Sequence, residues 1–272
     1  MKVRSIVATS ILALVLGVGV VVSTLNASAT TTNSTIPAGT PTATTFNGTP
    51  TVGALFPPGS SAHACTASVV SSPQGNLLLT AAHCVSGTVA GYTFAPGYHD
   101  GIAPFGYWTV TKAYGSSAWT TSQNPQDDFA FLVVAPQVKN GQKVQIQSVT
   151  GGNKLGSAPS TATTITVPAY PFGSGGSPLT CTTQVYYENG FPAFNCNPYV
   201  DGTSGSPWLV KTSHGTQVVG VIGGLHQGGC EAWTSYSAGF TTAIQHTYNN
   251  AMAKAAPSTF PHAGSDGCTT GL

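Results

Sequence analysis

Apolar residues along this chain gather in short runs, each bounded by Gly, Pro, Ser or Asn. The runs "TVGAL" at 51, "CTASVVS" at 65, "LLLTA" at 77, "YWTVTKAY" at 107 and "FAFLVV" at 129 are rich in β-branched and aromatic residues. That content, with turn residues between the runs, predicts strands. A polar lull from about residue 135 to 160, with "QVKNGQK" and "TGGNKLGSAPS", reads as a connection between two halves. The pattern resumes with "TTITV" at 163, "TTQVYY" at 182, "PWLV" at 207 and "QVVGVIGG" at 217. Many short strands with turn signals predict an all-β protein, a sandwich or barrels. Helical spacing is seen in "TTAIQHTYNNAMAKAA", where Ile244, Tyr248, Ala251 and Met252 share one face. That stripe predicts packing, with His246 an ordinary residue of the same helix.

The two ends follow different rules. Lys2 and Arg4, an apolar run from Ile6 to Val22 and the small-residue site Ala27-Ser28-Ala29 mark residues 1–29 as a secretory signal. The run is marginal for a membrane anchor, and the cleavage site follows at once. Residues 30–50, rich in Thr, Pro and Gly, predict a propeptide or a disordered arm. About 220 residues remain to fold, enough for two modest cores. They divide into an N-terminal half at 51–150, a C-terminal half at 151–255 that ends in the helix, and a tail at 256–272. No later segment is apolar for long enough to span a bilayer.

Charge narrows the possible partners. Only 6% of the 272 residues are charged, and removing Lys2 and Arg4 from the eight basic residues leaves six lysines against seven carboxylates. No basic patch is left to hold phosphates, so nucleic acid is excluded as a partner. Six cysteines, an even number in a secreted chain, indicate disulfides and not zinc. No C-x-x-C or H-x-x-x-H pair occurs, so neither a metal nor another cofactor is expected.

The candidate chemistry lies in three places. "LLLTAAHCVSG" sets His83 beside Cys84 at the end of an apolar run. Taken alone, it reads equally as a core histidine, a ligand or a base. Asp128 leads directly into "FAFLVV", and a carboxylate at the mouth of a buried strand costs several kcal/mol to desolvate unless it is paired. Its neighbour Asp127 reads as an exposed turn residue. "YVDGTSGSPWLV" flanks Ser204 with Gly202 and Gly205. Glycines there let the backbone take positive φ angles and aim successive N–H groups at one spot, which suits an anionic intermediate. His63, His99, His214 and His262 lie in polar, turn-like segments and read as surface residues.

Together "TAAHC", "DDFAFL" and "GTSGSP", in that order, resemble the chymotrypsin-like (trypsin-like) serine proteases, from about Val52 to Thr247. The resemblance implies two six-stranded antiparallel β-barrels followed by the C-terminal helix. It also implies a catalytic triad of His83, Asp128 and Ser204, with the N–H groups of Gly202 and Ser204 as the oxyanion hole. The α/β-hydrolase template fits badly, because it requires G-x-S-x-G and a histidine last in the chain. Here residue 206 is Ser and the histidine comes first.

Two departures from trypsin stand out. Thr203 replaces the aspartate that pairs with a freshly cut N-terminus, so something else must brace the loop. Ser206 follows the bacterial glutamyl-endopeptidase branch, which this segment resembles most. Pro198 stands where trypsin-like relatives carry the pocket-floor aspartate. Ile222 stands where glutamate-specific relatives carry a histidine, with His226 four residues on. A neutral side chain before the cut bond is therefore expected. Pro198 and Tyr199 are the implied pocket residues, and Gly223, Gly224 and Leu225 the implied edge that pairs with substrate backbone.

The family bridges the positions of Cys65 and Cys84. The other four cysteines allow three pairings. Cys181–Cys196 with Cys230–Cys268 is the expected set, and it tethers the tail. The expected protein is a secreted, monomeric serine endopeptidase acting on polypeptides, free of membrane once its signal is removed. The alternatives are a catalytically silent binding module, or an esterase on the same fold.

Overall fold

The computed structural model describes residues 35–269, so the expected signal at 1–29 lies outside the described residues. In the N-terminal half the predicted runs form strands Val52–Phe56, Cys65–Val70, Leu77–Thr80, Trp108–Gly115 and Ala130–Val134. A further strand, Thr93–Pro96, pairs with Val52–Phe56 and Trp108–Gly115 and closes the six into a barrel. Its four residues include a proline and gave too short a signal to read in advance. Leu55, Val69, Leu78, Phe94, Trp108 and Leu132 fill the interior.

"LLLT" is a continuous apolar run because its strand is buried on both faces. Leu78 faces the barrel core, while Leu77 and Leu79 join Phe131, Phe240 and Ile244 in a second cluster. Each fully buried leucine of this kind contributes about 1.5–3 kcal/mol. The predicted helix spans Thr242–Met252, capped by the Thr241 hydroxyl on the Ala243 N–H. It turns Ile244 and Ala251 inward against this outer cluster, with Tyr248 and Met252 beside them.

In the C-terminal half the strands fall into two sheets, and closure into the expected second barrel is not seen as a continuous ladder among the described residues. A six-stranded sheet runs in the order Thr44–Thr45, Leu179–Gln184, Thr164–Ala169, Pro207–Thr212, Gly215–Val221 and Lys154–Leu155. A separate three-stranded sheet holds Tyr186–Glu188, Phe191–Asn195 and Thr234–Tyr236. The change of sheet falls at Val185, which still pairs with the first of them, its N–H donating to the Thr163 carbonyl at 3.0 Å. The register also shifts between Trp208 and Leu209. Isolated bridges at Ile222–Ser237 and Thr42–Asn197 join the two sheets, and no continuous ladder does so among the described residues. Between them lie Ile165, Val167, Phe194, Tyr199 and Trp208, with Phe194 edge-on to both of the other rings.

Part of the Thr-rich arm is ordered, since Thr44 and Thr45 pair with Thr180 and Leu179. The polar connection holds a hairpin, Gln137–Lys139 with Gln142–Val144, and a short helix, Ile146–Thr150. Disulfides join Cys65–Cys84, Cys181–Cys196 and Cys230–Cys268. No helix among the described residues is long and apolar enough to cross a membrane.

Candidate active site

Two adjacent strands bring His83 and Asp128 together. His83 lies on a single 3₁₀ turn, Ala82–Cys84, at the end of Leu77–Thr80. The Cys65–Cys84 bond pins that turn to the neighbouring strand. Asp128 ends the turn Pro125–Asp127, where Pro125 opens the helix and the Asn124 side chain accepts from the Gln126 N–H. The strand that follows pairs Ala130 with Thr80, so residues 45 apart in sequence meet at one barrel end.

Asp128 is fully buried, and three donors surround its carboxylate. Oδ1 accepts the His83 backbone N–H at 2.9 Å, Oδ2 accepts the Gly224 N–H at 2.9 Å, and Oδ2 lies 2.7 Å from His83 Nδ1. Such bonds offset the desolvation of a buried charge. An ionised carboxylate only accepts, so the proton sits on Nδ1 and Nε2 is left as the basic nitrogen. Asp127, expected on an exposed turn, is instead 9% exposed, folded under as the last residue of the 3₁₀ turn.

The Ser204 loop needs its glycines. Gly202 has φ +88°, and a Cβ there would lie 2.1 Å from the Phe172 backbone nitrogen. At Gly205, with φ +80°, a Cβ would lie 2.2 Å from the Thr66 carbonyl oxygen. The first barrel holds the loop through Thr66. Its N–H donates to the Ser204 carbonyl at 2.8 Å, and its hydroxyl donates to the Gly202 carbonyl at 3.2 Å. Thr203, buried where trypsin has an aspartate, donates its hydroxyl to the Val200 carbonyl at 2.7 Å and supplies an internal brace. Among the described residues, no group accepts the N–H of Gly202 or of Ser204.

His83, Gly202 and Ser204 border one cleft of about 380 Å³, whose inner wall includes Tyr199, Thr203 and Ile222. Tyr199 is buried, and its hydroxyl donates to the Val167 carbonyl. Burial pushes its phenol well above the ordinary range. Pro198 is exposed and stands outside the cleft lining.

The expected three-residue edge is cut short. Gly223 donates to the Tyr236 carbonyl at 3.0 Å and Gly224 to Asp128. The chain then leaves the extended conformation at Gly224, and Leu225 opens a 3₁₀ turn through Gly228. Sequence reasoning missed two borders of the cleft. Phe172, 63% exposed, stands at the rim beside Gly202. Asp266 and Cys268 reach it from the tail, near His226 and Gln227. The Cys268 disulfide was the one sequence signal for that approach.

His63 also departs from expectation. It is 1% exposed, not on the surface, and neither ring nitrogen has a partner among the described residues. The rings of Phe56, Tyr98 and Tyr170 meet it at 5.5, 5.5 and 6.0 Å. Desolvation lowers its pKa to about 4. Two groups of side chains bring a histidine near two cysteine sulfurs, Cys65–His83–Cys84 and His226–Cys230–Cys268. In both, the sulfurs are joined in a disulfide and offer no thiolate to a metal.

No protein-family profile matches the chain, and no curated protein matches it in sequence. Solved structures do match. The protease Anisep from Arthrobacter nicotinovorans superimposes with a TM-score of 0.64 at 27% identity, over 77% of this chain and 98% of that one. The thermostable serine protease AL20 from an extremophilic microorganism gives 0.63 at 21% identity, over 75% and 98%. A Glu endopeptidase in complex with MPD gives 0.60 at 22% identity, over 79% and 98%. Together with the strand order and the cleft, these likenesses show that the chain shares the fold of solved serine proteases.

Proposed function

We propose that the protein is a secreted serine endopeptidase that cuts polypeptides through an acyl-enzyme on Ser204. The observation that carries this reading is the 2.7 Å contact between His83 Nδ1 and Asp128, in the cleft that Ser204 also borders. His83 Nε2 takes the hydroxyl proton as Ser204 attacks the scissile carbonyl, and returns it to the leaving amine. Asp128 holds the productive tautomer and stabilises the imidazolium. The oxyanion forms against the N–H groups of Gly202 and Ser204, where loss of one donor costs about 3 kcal/mol of transition-state stabilisation. Water then takes the amine's place, and the same steps run in reverse to release the acid.

The residue before the cut bond carries a neutral side chain. Of the cleft's lining, Tyr199, Ile222, Thr234 and Ser235 carry no carboxylate or ammonium, while the carboxylates that border it are Asp201 and, from the tail, Asp266. Gly223 and Gly224 lie along the substrate residues that precede the cut bond. The three disulfides suit an oxidising, extracellular setting. The protein acts as a monomer, without metal or organic cofactor. A fluorophosphonate probe tests the reading: the mature protein is labelled on Ser204, and labelling disappears in Ser204→Ala. An unlabelled, folded wild type would overturn it.

A further inference from the structure

The tail beyond the C-terminal helix crosses from one half of the molecule to the other. Ser258 donates its N–H to the Ala113 carbonyl at 2.8 Å. Phe260 exchanges two 2.9 Å bonds with Gly87 and buries its ring in the first barrel's core. The next anchor is Gln123, at the left-handed end of the helix Ser117–Ser122. Its side chain donates to the His262 carbonyl at 3.1 Å and accepts the Gly264 N–H at 2.7 Å. From the other half, the Gln227 side chain donates to the Gly264 carbonyl at 2.8 Å. Both backbone groups of Gly264 are therefore held, one from each side. His226 Nδ1 donates to the Asp266 carbonyl at 2.8 Å, and Cys268 ends the crossing in its bond to Cys230.

This path runs past the end of the catalytic cleft. Asp266 and Cys268 border the same cavity as His83 and Ser204. His226 and Gln227, which grip the tail, follow the Gly223–Gly224 segment after Leu225. A substrate strand bound by β-augmentation needs an open edge along which to continue. Here the edge stops at Gly224, and the polar groups just past it are occupied by the tail. The exposed ring of Phe172 also borders the cavity.

We propose that residues 261–268 form an end wall of the cleft and limit how many substrate residues fit ahead of the cut bond. Gln123 is the residue that positions this wall from the first half. The inference rests on the reading of Ser204 as nucleophile and of Gly223–Gly224 as the acyl side. Substrates with one or two residues ahead of the bond enter directly, and longer ones must displace the tail.

The test uses peptides with one constant cut site and one, two, four or six residues before it. In the full-length enzyme, kcat/KM stops rising after two residues. The ratio of six-residue to two-residue kcat/KM then rises about tenfold or more when the wall is loosened, because a remote interaction becomes available. Two variants loosen it. Gln123→Ala removes the bracket from one side. A chain ending at His262 with Cys230→Ser removes the wall while keeping Phe260 in the core.

A wild type whose kcat/KM climbs with every added residue overturns the proposal. So do variants that change short and long substrates in parallel, which marks general damage. The fluorophosphonate labelling rate separates this from the underlying reading. A wild type that is labelled but lacks the length limit refutes the wall alone, whereas an unlabelled wild type refutes both.

Discussion

Two histidines lie twenty residues apart in this chain and in opposite surroundings. His83 has a fully buried carboxylate 2.7 Å from one ring nitrogen and a cleft beside it. His63 has three aromatic rings around it and no partner for either nitrogen among the described residues. The first environment offers one ring nitrogen a carboxylate acceptor, while the second disfavours the charged ring by desolvation. Yet the two are linked through backbone. His63 donates its N–H to the Gly173 carbonyl at 2.8 Å, and the adjacent Phe172 donates to the Asp201 carbonyl at 2.7 Å, one residue before Gly202. On the proposed reading one imidazole handles protons, and the other sits beside the segment that leads by backbone bonds to the Gly202 loop.

The largest effect is expected from breaking the first environment. Asp128→Asn keeps the shape but supplies an amide where a carboxylate accepted, so His83 loses its productive tautomer. The kcat for an ester or peptide substrate should fall about 10⁴-fold with little change in KM. Gly202→Ala comes next, because its methyl would meet the Phe172 backbone and displace an oxyanion donor. A loss of about 10²–10³ in kcat is expected, with the disulfides and the His83–Asp128 pair intact.

Breaking the second environment should alter stability and its pH dependence. The folded-state pKa of His63 lies at about 4, below its unfolded value of 6.5, so the unfolded chain binds more protons between those values. The neutral ring's contribution is fully present above pH 6.5, is lost as pH falls toward 4, and is flat below. His63→Phe should remove about 3 kcal/mol of acid destabilisation across that window, read from denaturant unfolding at a series of pH values. An equal pH slope in both proteins would refute this account of His63. The smallest effect concerns the loop between the two sites. Thr203→Val deletes the hydroxyl bond to Val200 and should cost about 1–2 kcal/mol, measured by thermal unfolding, with a smaller loss of activity than Gly202→Ala.

What could be read in advance follows from how local each signal is. "TAAHC", "DDFAFL" and "GTSGSP" carry their chemistry within a few residues, and the long strands announce themselves by β-branched content. His63 was misread because Ser60, Ser61 and Ala62 beside it are small or polar, whereas Phe56, Tyr98 and Tyr170 assemble around it through tertiary packing. The change of sheet at Val185 was hidden because it depends on which strands the residues on either side of it pair with. The tail's course was hidden too. It has no apolar period, and apart from the expected Cys230–Cys268 tether its docking rests on one buried phenylalanine, a few backbone bonds and side-chain amides.

Thr66 belongs to the N-terminal half, yet it moulds the peptide around Gly202, whose carbonyl its hydroxyl binds across 136 residues of sequence. The Ser204 loop thus takes its form from a residue synthesised much earlier. The dependence also runs the other way: Gly224, made after Ser204, donates to the Asp128 carboxylate, and Phe260, later still, fills the first barrel's core. On the proposed reading the site is whole only when both halves have met.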